Sequence, residues 1–274
     1  MEWRAIQARP GDIPKAQGSC HVMIGNTEVI VAVTAAVRRT GDDCGRLRLH
    51  LEASSTVQET LAKLFGSTDF RHRRSLLAKY TATLCDVYGA SPSDDRDEMV
   101  EPVRPTPLPL DQLALGHGYA FCLDIDITAV QVHSGSLLLA ASCGIRGALS
   151  TLRLPYASAH EGPGGVVVDV DRSKLWPKQI PWNAPLILTL RIADGLYAVD
   201  PDLIEEATLS QHATVACTPK GSVCYFTLDC DPSKHKTARD GTMEPQDVRS
   251  IAEAAESIIS AIAEQLDQQI AVGA

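Results

Sequence analysis

Apolar and polar residues alternate along much of the N-terminal part of the chain, which predicts β-strands. An extended segment at 4–8 is followed by strands at 20–24 and 27–37. Gly25-Asn26 lies between these two strands, and both residues tolerate positive φ, so we expect a hairpin. Residues 46–51 alternate Arg or His with Leu, as in a strand with one face in water.

The apolar period becomes helical from about residue 55 to residue 88, with a predicted break at Gly66-Ser67. Residues 91–109 are rich in Asp, Pro, Ser and Glu, which predicts a surface loop. A long strand is predicted at 118–132. An Ala/Leu-rich helix is predicted at 137–152, apolar nearly all round and therefore central to a domain.

The C-terminal part repeats the order of strands followed by a helix. Strands are predicted at 186–192, 196–199, 214–217 and 223–228, and a long helix at 245–270. We therefore expect an α+β protein whose first half is 1–155 and whose second half is 183–274. Between them, 156–182 is predicted to be a connecting segment, with a loop at 162–165 and a short strand at 166–170.

Composition narrows the functional classes. The 274 residues are 45% hydrophobic, enough for a large core, and no apolar run approaches the roughly 18 residues that span a membrane. The first residues lack the pattern of a secretory signal. The eight cysteines occur singly, so they predict buried, reduced thiols in an intracellular protein rather than a zinc site. With a net charge of -9, contact with RNA requires a local patch or a channel shared with other chains.

Four blocks of sequence, in the same order, resemble the RNase PH family of phosphate-using 3′-to-5′ exoribonucleases. Residues 18–33 resemble its G-S-x-x-V-x-x-G-N-T-x-V hairpin, 121–127 its central strand, and 138–155 the following helix with its R-L-P ending. Residues 199–206, V-D-P-D-L-I-E-E, resemble the acidic motif V-D-x-D-x-x-E-D. The resemblance implies the RNase PH fold, in which a ribosomal-S5-domain-2-like β-α half is joined to a second β-α half.

The family's active site needs an arginine for phosphate and acidic residues for a proton or a metal. The arginine belongs to a D-G-G-T-R turn that here reads H-S-G-S-L, so Leu137 replaces it. Asp200, Asp202 and Glu205 keep the frame of the acidic motif, but Glu206 and His212 stand where the important aspartates would be. We therefore expect no catalytic residues, no phosphorolytic activity, no cofactor and no bound metal. His133 and His212 are interpreted as replacements for lost acids, although Glu205-Glu206 retains the oxygen ligands that Mg²⁺ prefers.

Within the family, this loss resembles the non-catalytic ring subunits of the exosome. The resemblance implies a scaffold for RNA processing and degradation in a hetero-hexameric ring of RNase PH-like chains. It also implies S1/KH-type RNA-binding cap subunits, a separate catalytic ribonuclease, single-stranded RNA as a ligand, and a location in nucleus, nucleolus and cytoplasm. Relatives usually carry a helix and an R-P-D-G-R segment before the first strand. This chain starts nearly at that strand, so its ring position stays open.

Two basic clusters are candidates for RNA contact, because phosphate contacts supply much of nucleic-acid affinity. Arg71, Arg73 and Arg74, with Lys79 further along, lie at a predicted helix start, where backbone N–H groups also favour anions. The alternative is a solvated helix end or a salt-bridging interface. Arg38 and Arg39 follow a predicted strand and are the weaker candidates.

Several alternatives depend on other residues. Asp124 and Asp126 share one face of a strand, where they could act as acid and base or bind a metal. The simpler interpretation is the polar side of a half-buried strand, or partners for basic residues across a ring contact. An active phosphorolytic enzyme would need a substitute arginine, for which Arg146 is the conceivable donor. A free-standing RNA-binding module is disfavoured by the net charge and by the absence of aromatic-basic clusters. A Cys217–Cys224 disulfide across the last hairpin is disfavoured in a reducing compartment.

Overall fold

A computed structural model describes residues 4–64, 70–92, 105–133, 136–193, 196–199, 211–230 and 245–273. These residues form a large mixed sheet, a four-stranded sheet and a two-stranded hairpin, packed with four helices. The predicted α+β class is confirmed, and strands and helices fall close to the positions that the apolar periods predict. None of the described helices is long and apolar enough to cross a membrane.

The large sheet belongs to the first half of the chain. Its strands are β1 (Ile6–Pro10), β2 (Gly18–Ile24), β3 (Thr27–Arg39), β4 (Arg46–Ala53), β5 (Ser91–Pro92), β6 (Ala114–Gly116) and β7 (Tyr119–Gln131). The order is β1-β2-β3-β7-β4-β5, with β6 paired to β7. The first four strands in this order are antiparallel, and β4 runs parallel to β7. The predicted β2–β3 hairpin is confirmed, and Gly25 in its turn has φ 57°.

The helices are α1 (Ser55–Leu64), α2 (Phe70–Tyr88), α3 (Leu137–Ser150) and α4 (Pro245–Gly273), with a 3-10 turn at Leu110–Leu113. The predicted break at Gly66-Ser67 lies outside the described residues. The surface loop predicted at 91–109 is partly wrong, because Leu108 lies buried in the core and Thr106 donates a hydrogen bond to the Tyr88 carbonyl. The rest of that segment, 93–104, also lies outside the described part.

The second sheet contains β10 (Leu186–Ala193), β11 (Leu196–Val199), β12 (Gln211–Cys217) and β13 (Val223–Cys230). The order is β11-β10-β12-β13, all antiparallel. Helix α4 covers this sheet with the predicted apolar face, in which Ile251, Ala255, Ile262 and Leu266 are buried.

The connecting segment is more structured than its sequence predicts. The strands β8 (Pro155–Gly162) and β9 (Gly165–Leu175) form an antiparallel hairpin, of which only part of β9 was expected. Strand β8 was missed because its polar and small residues, such as Ser158 and His160, show no apolar alternation. The hairpin exposes Val167, Val170 and Leu175.

Helix α3 lies between the two sheets and is buried almost along its whole length. Two glycines allow its close approach to the large sheet. A Cβ at Gly144 would lie 2.5 Å from Val31 Cγ2, and one at Gly147 would lie 2.4 Å from Cys20 Sγ. On the other side, the backbone N–H of Ile187 in β10 donates to Ser142 Oγ at 3.0 Å. The helix therefore belongs to both halves of the chain.

The side chains of seven of the eight cysteines are described, and all seven are free thiols. Five of them are buried, as predicted, whereas Cys44 is half-buried and Cys224 is exposed. Cys217 and Cys224 lie at the ends of β12 and β13 but form no disulfide. Burial raises the pKa of the Cys20 and Cys217 thiols to about 12, so both stay protonated at neutral pH.

Candidate functional site

The N-terminus of α3 is where the sequence predicts a lost phosphate site. Ser136 precedes the helix in an extended conformation, and its side chain makes no cap hydrogen bond. Leu137 is the first helical residue, and its side chain is buried with 3% exposed. Backbone N–H groups at such a terminus attract anions. A buried leucine supplies neither the charge nor the paired donors with which a guanidinium holds phosphate.

His212 lies in β12, directly opposite Asp229 in β13. Its Nε2 is 3.2 Å from Asp229 Oδ2, and Lys79 Nζ of α2 is 2.7 Å from the same oxygen. Desolvation raises the pKa of Asp229, but the hydrogen bond and charge of Lys79, with those of His212, outweigh it and lower that pKa below its ordinary value. His212 is therefore part of an ionic cluster that joins α2 to the second sheet.

The remaining acidic motif is not placed. Asp200, Asp202, Glu205 and Glu206 lie outside the described residues, and the expectations for them stay predictions. His133 is exposed just before α3. Among the residues that the structure describes, no group of three or more His, Cys, Asp or Glu side chains could hold a metal ion.

Arg146 is not available to replace the missing phosphate ligand. Its Nε and Nη2 donate to the two carboxylate oxygens of Asp267 in α4, at 2.9 and 2.7 Å. Its Nη1 donates to the Ala184 carbonyl at 3.3 Å. Arg146 is 8% exposed and lies nine residues beyond Leu137, roughly 13 Å along the helix. The suggestion that Arg146 replaces the lost arginine is wrong, because its hydrogen bonds hold α4 and the start of the second sheet instead.

The acid–base alternative for Asp124 and Asp126 also loses support. Arg48 in β4 lies beside Asp124 in β7 and donates to both of its carboxylate oxygens, at 2.5 and 2.9 Å. This hydrogen bond raises the pKa of Arg48. Asp126, two residues on, is exposed. Asp124 is thus the polar partner of a neighbouring strand, which is the simpler of the two interpretations made from the sequence.

Arg38 and Arg39 end β3 and are both exposed. The charges of Arg38, Arg48 and Arg46 act on the Cys122 thiol in β7. Burial raises the pKa of that thiol to about 11, although the three guanidinium groups act to lower it. Asp42 binds Arg46 at 2.7 and 2.8 Å, and Asp124 binds Arg48, so much of this positive charge is neutralised. The RNA contact of Arg38 and Arg39 stays a prediction.

The other basic cluster is only partly visible. Arg71, Arg73 and Arg74 fall in the first turns of α2, but their side chains lie outside the described part of the structure. Lys79, which was grouped with them, binds Asp229. Its charge is therefore engaged within the chain.

One basic and aromatic site was missed by sequence reasoning. A cavity of about 500 Å³ lies between the C-terminal end of α3 and segment 175–182. It is lined by Trp176, Trp182, Arg153 and Lys178, together with Leu, Ile, Pro, Gln and Ser side chains. The expectation that aromatic-basic clusters are absent is wrong. The signal was the short run W-P-K-Q-I-P-W at 176–182, which was assigned to a connecting segment.

Comparison with known proteins agrees with the geometry. The RNase PH profile, described as the 3′ exoribonuclease family, domain 1, matches residues 2–155, more than half of the chain. The chain belongs to this family, and it has the RNase PH fold that its sequence blocks predict.

Particular relatives are similar in sequence. The chain is 25% identical over 230 residues to the exosome complex component Rrp42 of Methanothermobacter thermautotrophicus, covering 81% of this chain and 74% of the relative. It is 27% identical over 227 residues to Rrp42 of Methanopyrus kandleri, covering 81% and 75%.

Solved structures share the fold. An archaeal exosome core chain has a TM-score of 0.64 at 17% identity, covering 97% of this chain and 87% of the other. A chain of the Archaeoglobus fulgidus exosome with RNA bound to the active site has a TM-score of 0.65 at 17% identity, covering 96% and 89%. Rice Rrp46 has a TM-score of 0.56 at 13% identity, covering 98% and 96%.

Proposed function

We propose that this chain is a non-catalytic ring subunit of an exosome core, which contributes to assembly and to a channel for single-stranded RNA. The observation that carries the proposal is the N-terminus of α3, where the buried side chain of Leu137 replaces a phosphate-binding arginine. The engagement of Arg146 with Asp267 supports it, since the arginine considered as a substitute is already bound. The names of the curated relatives, exosome complex component Rrp42, agree with this role.

The same proposal assigns the altered residues individually. Leu137 stands for the arginine, and Glu206 and His212 stand for two aspartates of active members. His212 lies 3.2 Å from Asp229, whose carboxylate is also bound by Lys79, so this end of β12 carries an ion-pair network that joins α2 to the sheet. We expect the chain alone to leave RNA intact in the presence of inorganic phosphate.

Partners follow from the ring proposal. We expect other RNase PH-like chains as direct neighbours, S1/KH-type cap subunits, and a separate subunit that supplies the ribonuclease activity. Location in nucleus, nucleolus and cytoplasm stays a prediction, which imaging of a tagged chain would test.

The first experiment is the native mass of the assembly recovered by a tag on this chain, with its components identified. A complex of several different RNase PH-like chains is the expected result. A closed homo-hexamer of roughly 176 kDa would contradict the proposal and reopen the phosphorolytic alternative.

A second experiment addresses catalysis directly. A 5′-labelled single-stranded RNA is incubated with the purified chain and inorganic phosphate, alongside the Leu137→Ala and His212→Ala variants. All three proteins should leave the RNA at full length. Phosphate-dependent shortening by the unmodified chain that either substitution abolishes would overturn the non-catalytic assignment.

A further inference from the structure

The cavity beside segment 175–182 is built as a fixed feature of the fold. The Trp176 backbone N–H donates to the Leu154 carbonyl at 2.9 Å, and the Arg153 N–H donates to the Gln17 carbonyl at 2.8 Å. The Trp176 ring packs edge-on against buried Phe121, with centroids 5.3 Å apart. Pro177 and Pro181 restrict φ along the segment. The walls are therefore set before any ligand binds, which lowers the entropy cost of binding.

The charged groups of this cavity have one sign. Arg153 and Lys178 are its only charged lining residues, in a protein whose net charge is -9. Both are exposed, and neither forms an ion pair with a described carboxylate. Lys178 Nζ lies 5.4 Å from the Trp176 ring centroid, which holds the ammonium at the cavity. The C-terminal end of α3 contributes a partial negative charge of about half a unit, which two full cations outweigh.

The two tryptophan rings of the cavity differ in their contacts. Trp176 is engaged on its edge by Phe121, at one side by Tyr156 with centroids 6.5 Å apart, and on one face by Lys178. Trp182 is half-buried and has no ring partner among the described residues. Gln179 and Ser150 add donors and acceptors at the same cavity. This combination of a stacking surface, two cations and hydrogen-bonding groups suits a ligand with an aromatic base and a phosphate.

We infer that this cavity, formed by Arg153, Trp176, Lys178 and Trp182, binds a nucleotide, with its base stacked on Trp182 and its phosphate between Arg153 and Lys178. Its volume of about 500 Å³ lies within the range of small-ligand sites. The site is separate from the N-terminus of α3, which lies at the opposite end of that helix. It does not depend on the ring proposal, because it uses only groups of this chain.

The test measures binding of a fluorescently labelled eight-nucleotide single-stranded RNA to the full chain by anisotropy. Arg153→Glu/Lys178→Glu should weaken binding at least tenfold and reduce the salt dependence of log Kd by about 0.7, the value for one phosphate contact on a single strand. The matched control, Lys220→Glu/Arg249→Glu, makes the same charge change at exposed positions outside the cavity and should bind within about twofold of the unmodified chain.

A second pair of variants tests stacking. Trp182→Ala should lose at least about fivefold in affinity, whereas Trp182→Phe should keep most of it. Circular dichroism melts of both variants show whether the fold is retained, since Trp182 also packs against the core. If Phe and Ala weaken binding equally while both fold normally, stacking is refuted.

Competition identifies the source of the nucleotide. Unlabelled uridine monophosphate and adenosine monophosphate are added as competitors of the labelled oligomer. If a monophosphate binds about as tightly as the oligomer, the ligand is a free nucleotide. If the oligomer binds much more tightly, the ligand is single-stranded RNA. Both results support the site. The inference is overturned if Arg153→Glu/Lys178→Glu binds RNA as tightly as the control Lys220→Glu/Arg249→Glu does. Preferential binding of a poly-glutamate peptide would also overturn it. Because assembly is measured separately, failure here leaves the ring proposal intact.

Discussion

Replacing Arg146 with methionine should lower the free energy of unfolding by about 2 kcal/mol. The side chain lies at the centre of the molecule, where it binds Asp267 of α4 and the carbonyl of Ala184. If Arg146 served only to bind phosphate, replacing it would hardly change the free energy of unfolding. The variant therefore separates a structural arginine from a ligand-binding one.

The magnitude follows from two contacts of different exposure. Ala184 is fully buried, so losing its donor leaves a buried carbonyl unsatisfied, at a cost of roughly 1 to 3 kcal/mol. The Asp267 side chain is 51% exposed, so water screens the ion pair, whose contribution is below about 1 kcal/mol. Methionine retains most of the apolar stem of arginine and should not open a large cavity.

Urea denaturation of four proteins provides the measurement: the unmodified chain, Arg146→Met, Asp267→Asn and the double variant. Asp267→Asn should cost less than Arg146→Met, because the amide still accepts a hydrogen bond. The double variant should match Arg146→Met within about 0.5 kcal/mol, since Asp267 acts through Arg146. Wild-type stability of Arg146→Met would refute the reasoning. The reasoning would also be refuted if inorganic phosphate stabilised the other proteins but not Arg146→Met.

Three further outcomes are expected. Gly147→Ala should destabilise the chain by about 1 to 3 kcal/mol in thermal unfolding, because its Cβ would lie 2.4 Å from Cys20 Sγ, and Cys20→Ala should restore part of that loss. The folded-state pKa of Asp229 is lowered, so its stabilisation is present above the unfolded-state pKa of about 3.9 and is lost as the pH falls further. Asp229→Asn should therefore reduce the loss of unfolding free energy at acidic pH. An unchanged dependence on acidic pH would contradict the ionic cluster of Asp229 with Lys79 and His212. Cys224 is exposed and Cys122 is buried, although desolvation raises the pKa of both thiols. Cys224 should therefore react with a thiol reagent before Cys122, so Cys224→Ser should remove one equivalent from the faster phase while Cys122→Ser removes none.

Strands and helices with one buried face were predictable, because burial of that face fixes the spacing of apolar residues along the sequence. The β2–β3 hairpin, the buried helix α3 and the apolar face of α4 all follow from spacing along the sequence. Strand β8 was not predictable in this way, because a hairpin outside the core has no buried face to impose alternation. Leu108 was hidden in a polar, Pro-rich stretch, although its side chain reaches the core.

The candidate site was predictable in its chemistry and less so in its contacts. Leu137 in place of an arginine is visible in the sequence, because an apolar residue cannot bind phosphate. The partners of Arg146 and His212 are not, since Asp267 lies 121 residues from Arg146 and Asp229 pairs with His212 only through strand register. The Trp and Lys residues of 176–182 were visible, but their proximity to Arg153 depends on the end of α3.

The position of α3 has a consequence for how the chain opens. Its glycines face the large sheet, Ser142 accepts a hydrogen bond from β10, and Arg146 binds α4. Neither half can separate without exposing this helix, so amide protons in α3 and β10 should exchange with solvent only through global unfolding. A cut in the connecting segment would then leave two fragments that complement each other rather than two autonomous domains.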